Sequence, residues 1–151
     1  MNMFNIKGIK LLLILPILLI LSVLVVSYSS VEEHAEQKGG LVNADVIIEI
    51  DSTNVHWFLD VELEEGSNAY ELLDVATNGY IEAQWFKEYS SHLVSSILGA
   101  SSNEKEYWIV FYWEDNVWMP LSVGADSFTV RDKMIMAWAL LEFGKAPTVR
   151  P

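Results

Sequence analysis

The sequence predicts an α+β domain, a mixed sheet with one helix packed across it, preceded by an N-terminal transmembrane helix. Three observations predict it. Residues 11–26 form a nearly continuous aliphatic run, strand-type alternation begins near Ala44 and recurs as far as Leu141, and a single short helical stripe interrupts that alternation at 68–77.

The aliphatic run is all Leu, Ile or Val apart from Pro16 and Ser22, with Lys7 and Lys10 before it and Ser27, Ser29 and Ser30 after it. At a rise of about 1.5 Å per residue, a helix over residues 9–28 spans roughly the 30 Å hydrocarbon core of a bilayer. Its 14 aliphatic side chains contribute roughly −6 kcal/mol to insertion, which offsets one Pro and one Ser. Both positive charges precede the run, so the positive-inside rule keeps the N-terminus in the cytoplasm and sends residues 31–151 outside the cell membrane. The length favours a single-pass anchor over residues 1–30. A cleaved signal is the alternative, because Val25 and Ser27, or Ser27 and Ser29, could satisfy a small-residue cleavage site and leave the remainder secreted.

Residues 31–43 carry Glu, Gln, Lys and Gly without apolar periodicity and read as a stalk. The folded domain is expected over 44–143. Val46, Ile48 and Ile50 alternate with Ile47 and Glu49. After Asp51-Ser52-Thr53-Asn54, a second run places Trp57, Leu59, Val61 and Leu63 opposite His56, Phe58, Asp60 and Glu62, so the pair reads as a hairpin with one apolar face. Ser67 or Asn68 then caps a helix running to about Thr77. Its stripe is Tyr70, Leu72, Leu73, Val75 and Ala76, and Asn78-Gly79 supplies a left-handed exit.

Further strands are expected at 80–86, 89–98, 107–113, 117–119, 127–130 and 134–141, with Glu114-Asp115-Asn116 as a hairpin tip. Residues 144–151 hold few apolar side chains and are expected to fray as a flexible tail. Hairpin, capped helix and then several strands is the order of an α+β domain, and a β-grasp-like sheet is the first choice within that class. A β-sandwich is the competitor, and the helical stripe counts against it.

Charge and composition narrow the function. The chain has 21 acidic residues against 9 Lys and Arg, a formal charge of −12. Lys7 and Lys10 are the only charges in residues 1–30, so the remainder stands at −14, a surface that repels phosphates and excludes nucleic acid as a partner. The absence of Cys excludes a disulfide framework, thiolate metal sites, thiol catalysis and lipidation of a Cys. His34, His56 and His92 lie on separate segments at no metal-binding spacing, and neither a His-Glu-x-x-His helix nor an EF-hand loop occurs. Asp51 with Asn54, and Glu114 with Asp115, read as solvated turn acids rather than Ca²⁺ ligands. No Gly-x-Ser-x-Gly turn is present. No catalytic residue, metal site or cofactor is therefore expected, and the domain is read as non-enzymatic.

Several segments resemble a known family. Gly66-Ser67-Asn68-Ala69-Tyr70-Glu71-Leu72-Leu73 is similar to a Gly-x-Thr-hydrophobic-x-x-x-Leu helix opening, and Ser95-Ser96-Ile97-Leu98-Gly99 to a Thr-Ser-Ile-x-Gly strand. Tyr107-Trp108-Ile109-Val110-Phe111-Tyr112-Trp113 is similar to an aromatic Tyr-Trp-x-x-Tyr strand, and Val123-Gly124-Ala125-Asp126 to a Gly-Ala-Asp turn. Asp132 stands where a Gly-Asp precedes the final strand. In this order, from about Val46 to Leu141, they resemble the transcobalamin-like carboxy-terminal domain, also called DUF4430, of the soluble-ligand-binding β-grasp group. The resemblance implies a module that helps enclose a cobalamin-like ligand against an α/α-barrel domain, which a partner protein would have to supply here.

The residues themselves point to aromatic recognition. Tyr107, Trp108, Phe111, Tyr112, Trp113 and Trp118 fall close together, and on an extended strand they populate both faces. One short helix covers one face, so the other must meet a second layer of its own chain, a ligand or a partner. Trp108, Tyr112 and Trp118, with Tyr89 from the neighbouring strand, are the candidate ligand-binding residues, since indole and phenol combine large apolar area with a polar tip. The expected function is a membrane-tethered extracytoplasmic binding module for a small soluble ligand. The alternative is a structural or adhesive accessory domain that pairs with another surface protein.

Overall fold

The computed structural model describes residues 39–151. The expected transmembrane helix, and the stalk up to residue 38, lie outside the described residues. Among the described residues no helix is long and apolar enough to cross a membrane.

Two aliphatic segments make the centre of the molecule. Strand β1 (Leu41–Asp51) and the last strand, β8 (Ile135–Leu141), pair in parallel, with Val46 opposite Met136 and Ile48 opposite Trp138. Around them β2 (Asn54–Glu64), β6 (Tyr107–Glu114) and β7 (Val117–Pro120) add antiparallel, giving a five-stranded mixed sheet in the order β2-β1-β8-β6-β7. One face of this sheet is covered by helix α1 (Ala69–Thr77) and by a second, antiparallel sheet of β3 (Ile81–Phe86), β4 (Ser91–Ile97) and β5 (Ala100–Ser101). Val46, Ile48, Met136 and Trp138 from the large sheet meet Leu72 and Leu73 of the helix and Val94 and Ile97 of β4 in the main core.

The helix forms where the sequence places it. The Asn68 side chain accepts the Glu71 N–H at 2.9 Å while Glu71 accepts the Asn68 N–H at 2.9 Å, a reciprocal capping box. Asn78, at φ 51°, and Gly79, at φ 74°, turn the chain out in the left-handed region. Its buried side chains are Ala69, Leu72, Leu73 and Thr77, whereas Val75 faces solvent, one step off the expected stripe.

Four expectations need correction. β1 starts at Leu41, so the last residues of the expected stalk belong to the sheet. The β1-β2 hairpin does not keep one apolar face, because Leu59 and Asp60 together oppose Asp45 in a bulge, with Asp60 at φ 52° and its N–H bonded to the Asp45 carboxylate at 2.8 Å. One extra residue exchanges the faces. Phe58, Val61 and Leu63 therefore pack inward, while Trp57 and Leu59 remain 44% and 62% exposed. Residues 127–130 form no sheet strand. A 3-10 turn (Ala125–Ser127) is followed by a single bridge between Thr129 and Asn68, and Val130 N–H bonds to Ser67 carbonyl at 2.8 Å, so this stretch brackets the start of the helix.

The tail is the fourth. Glu49, at 2% exposure on the face opposite the helix, accepts the N–H and hydroxyl of Thr148 at 3.0 and 2.6 Å and the N–H of Val149 at 3.2 Å. Trp118 Nε1 donates to Val149 carbonyl at 2.7 Å. Val149 thus packs on the small second core of Ile47, Phe111, Ala137 and Ala139. Residues 144–151 were expected to be free because their apolar content is low, but a buried carboxylate and an indole N–H hold the main chain instead.

Candidate ligand-binding site

The polar focus of the domain lies where β4 begins. After β3, the turn at Lys87-Glu88-Tyr89-Ser90 closes with Ser90 in the left-handed region, φ 46°, and delivers Ser91 and His92 as the first residues of β4. Across from them the 3-10 turn presents Asp126. One oxygen of its carboxylate accepts the Ser91 hydroxyl at 2.8 Å and the His92 N–H at 2.7 Å, and the other accepts His92 Nδ1 at 2.7 Å. The carboxylate therefore docks the β3-β4 hairpin against the turn and fixes the imidazole at once.

The ring is fixed from its faces as well. It stacks on Tyr70 of the helix, with centroids 4.1 Å apart and planes 9° from parallel, and meets Trp85 edge-on at 5.1 Å. A carboxylate can only accept, so Nδ1 donates, and in the neutral ring the lone pair sits on Nε2. That nitrogen has no hydrogen-bond partner among the described residues, and the side chain is 30% exposed. Burial raises the Asp126 carboxyl, but the hydrogen bonds from the His92 N–H, its ring and Ser91 outweigh it and hold the group below the ordinary value. Burial, with the nearby Asp74 and Asp126 charges, raises the Tyr70 phenol, which stays neutral beneath the ring.

Beside this pair opens a cleft of about 290 Å³ lined by Phe86, Tyr89, Ser91, His92, Leu93 and Gly124. Gly124 makes the close approach possible, because a Cβ there would overlap the Cβ and Oγ of Ser91. A second hollow, about 340 Å³, is bordered by Trp113 and the Arg131-Asp132-Lys133 turn. Among the described residues no group of three or more His, Asp or Glu side chains gathers as a metal-ion site.

The structure does not bring the four candidate aromatics together. Trp108, 7% exposed, and Tyr112 point into the main core, where Trp108 Nε1 donates to Ala100 carbonyl at 3.1 Å and Tyr112 stacks on Phe128. Trp118 lies on the opposite face under the tail. The C-terminus thus covers part of the face opposite the helix, around Ile47, Phe111 and Trp118, while Trp57 and Tyr107 stay partly exposed there. Only Tyr89, 75% exposed at the hairpin turn, borders the cleft. Sequence reasoning missed His92 and Asp126 as a pair because 34 residues separate them. The Gly124-Ala125-Asp126 turn was the available signal: its Gly allows the approach, its Ala is buried and its Asp makes the bonds.

No family model matches the chain, and no curated protein does. Solved structures do resemble it. Haptocorrin in complex with Cbi superimposes with a TM-score of 0.58 at 18% identity, over 69% of this chain and 26% of haptocorrin. A candidate metal-binding protein from Ruminococcus gnavus ATCC 29149 gives a TM-score of 0.52 at 13% identity, over 67% of this chain and 97% of that one. The chain thus spans about a quarter of haptocorrin. At these identities the likeness is one of fold alone.

Proposed function

We propose that this chain is a membrane-tethered, extracytoplasmic binding module that takes a small soluble ligand of the cobalamin class at the cleft between the β3-β4 hairpin and Gly124. One observation carries the reading: an imidazole held by a carboxylate and two aromatic rings borders an apolar hollow, an amount of order that packing alone does not require. The haptocorrin neighbour supports the ligand class, and the parallel central pair crossed by one helix supports a β-grasp-like assignment. A hollow of about 290 Å³ accommodates part of such a ligand, so a partner protein would close the other side. The reading is non-enzymatic, since the Ser91 hydroxyl donates to Asp126 and towards the His92 backbone carbonyl, not to the His92 ring as an activated nucleophile would. Tethering and placement outside the cytoplasm rest on residues 1–30.

Isothermal titration of the full chain with cobinamide tests this. Saturable heat that is lost in Leu93→Asp, a change at an exposed lining residue, is the expected result; no saturable heat in the wild type refutes the ligand class. The accessory-domain reading draws on the exposed Trp85, Tyr89 and Leu93 of the same hairpin. It predicts instead no saturable heat with cobinamide and a complex with another surface protein, read by co-sedimentation, that Leu93→Asp abolishes.

A further inference from the structure

In a strongly acidic domain Arg131 and Lys133 stand two positions apart, and no other two Lys or Arg residues of the sequence are so close. Both border the second hollow, of about 340 Å³, whose apolar wall is Trp113, Met134 and Ile135. It shares no lining residue with the cleft beside His92. Trp113 follows the Tyr112–Met136 pair and so stands beside Ile135, with its ring 4.9 Å from that of Trp118. The turn that carries the cations is held firmly. Met134 N–H bonds to Arg131 carbonyl at 3.1 Å, Lys133 N–H to Asn43 carbonyl at 2.6 Å, and the Asp132 carboxylate accepts Asn43 N–H at 3.0 Å. Lys133, the third residue of this turn, has φ 60°, where Gly or Asn is the favoured residue. A cation is thus kept at a position whose backbone disfavours its Cβ. Among the described residues neither Arg131 nor Lys133 forms an ion pair with a carboxylate.

We propose that this hollow is a second binding site, independent of the His92 cleft, for a small organic monoanion with a flat apolar body, an aromatic carboxylate. The forked N–H groups of Arg131 match the two oxygens of a carboxylate, and the Lys133 ammonium adds a point charge. Asp132 lines the same hollow and offsets one of the two cations, so a single positive charge remains, which suits a carboxylate better than a phosphate dianion. The Trp113 indole gives the flat body a surface to pack on, with Met134 and Ile135 beside it. The negative charge of the whole domain opposes an anion at a distance. Salt screens exposed charges beyond about 8 Å at physiological ionic strength, so the two cations in contact with the ligand decide.

Isothermal titration of the full chain in non-ionic detergent with 2-naphthoate tests the assignment, with 2-naphthamide and inorganic phosphate titrated alongside and detergent alone as the blank. The expected result is saturable heat with naphthoate and binding at least about 10-fold weaker with the uncharged amide and with phosphate. Arg131→Gln should weaken naphthoate about 10- to 100-fold, the loss of a charge-assisted bond, and leave a cobinamide titration unchanged. Lys133→Gly removes the ammonium and relieves the positive φ together, so naphthoate binding should weaken while the melting temperature holds or rises. A lysine with only a structural role would not give that pairing. No saturable heat with naphthoate in the wild type overturns the site whatever cobinamide does. Naphthoate affinity unchanged in both Arg131→Gln and Lys133→Gly overturns the cation pair, and amide or phosphate bound as tightly as naphthoate overturns the ligand class. Both substitutions are at exposed positions, and circular dichroism matching the wild type separates loss of the charge from loss of the fold.

Discussion

Gly124 and Ser91 touch so closely that a methyl group at 124 has nowhere to go. Gly124→Ala should displace Ser91, break its bond to Asp126 and lower stability by about 1–3 kcal/mol in chemical denaturation. An unchanged midpoint would contradict the close approach. Asp126 makes a pH prediction. Its carboxyl is below the ordinary value of 3.8 in the folded state, so its contribution is whole above 3.8 and disappears as the pH falls through the lower folded value. Thermal melts of the wild type and Asp126→Asn should therefore differ at pH 7, begin to approach each other near pH 3.8 and converge only below the lowered folded value; a constant gap would show that the shift contributes nothing. At this scale the Gly-Ala-Asp turn was legible, since Gly marks a close approach and Asp a local acceptor. Its partner was not, because His92 on β4 shows no periodicity that ties it to residue 126.

The elements divide into those set by local chemistry and those set by distant contact. Helix α1 was legible almost to the residue because its capping box and left-handed exit are contained in Asn68, Glu71, Asn78 and Gly79. Asn68→Ala should cost about 1 kcal/mol of stability, read from urea unfolding, and no loss would deny the cap its role. The β6-β7 turn was equally local: Asp115 and Asn116, at φ 50° and 64°, adopt the two positive-φ conformations of a type I′ turn without a Gly. The β2 bulge was not legible, since it depends on the Asp45 carboxylate across the sheet, and the alternation continues through it as if the strand were regular. The tail was missed for the same reason. Deleting residues 146–151 should expose Trp118 and strip Glu49 of its donors, raising acrylamide quenching of Trp fluorescence and lowering stability by a few kcal/mol, about what an orphaned buried carboxylate costs. Quenching identical to the wild type would mean the tail does not lie there in solution.

At the scale of the whole molecule, the class of fold followed from the order of elements, while the layers did not. A second sheet and the C-terminus share the covering that one helix could not give, so most of the aromatic strand is covered by its own chain and the open chemistry moves to the far hairpin. That relocation is the physical lesson of the aromatic cluster: density of rings in sequence marked a strand with one covered and one partly covered face, whereas the exposed rings beside His92 were scattered among polar residues. The net charge of −14 outside the first 30 residues leaves neutral or cationic ligands favoured, and a salt-insensitive affinity is expected for an uncharged one.

The account stands most directly on where a ligand touches the domain. Amide chemical-shift mapping of the full chain during titration with cobinamide should move His92, Leu93, Gly124 and Asp126 together and leave Trp108, Tyr112 and Trp118 in place. Shifts centred on the tail and Trp118, or no saturable shifts at all, would contradict it.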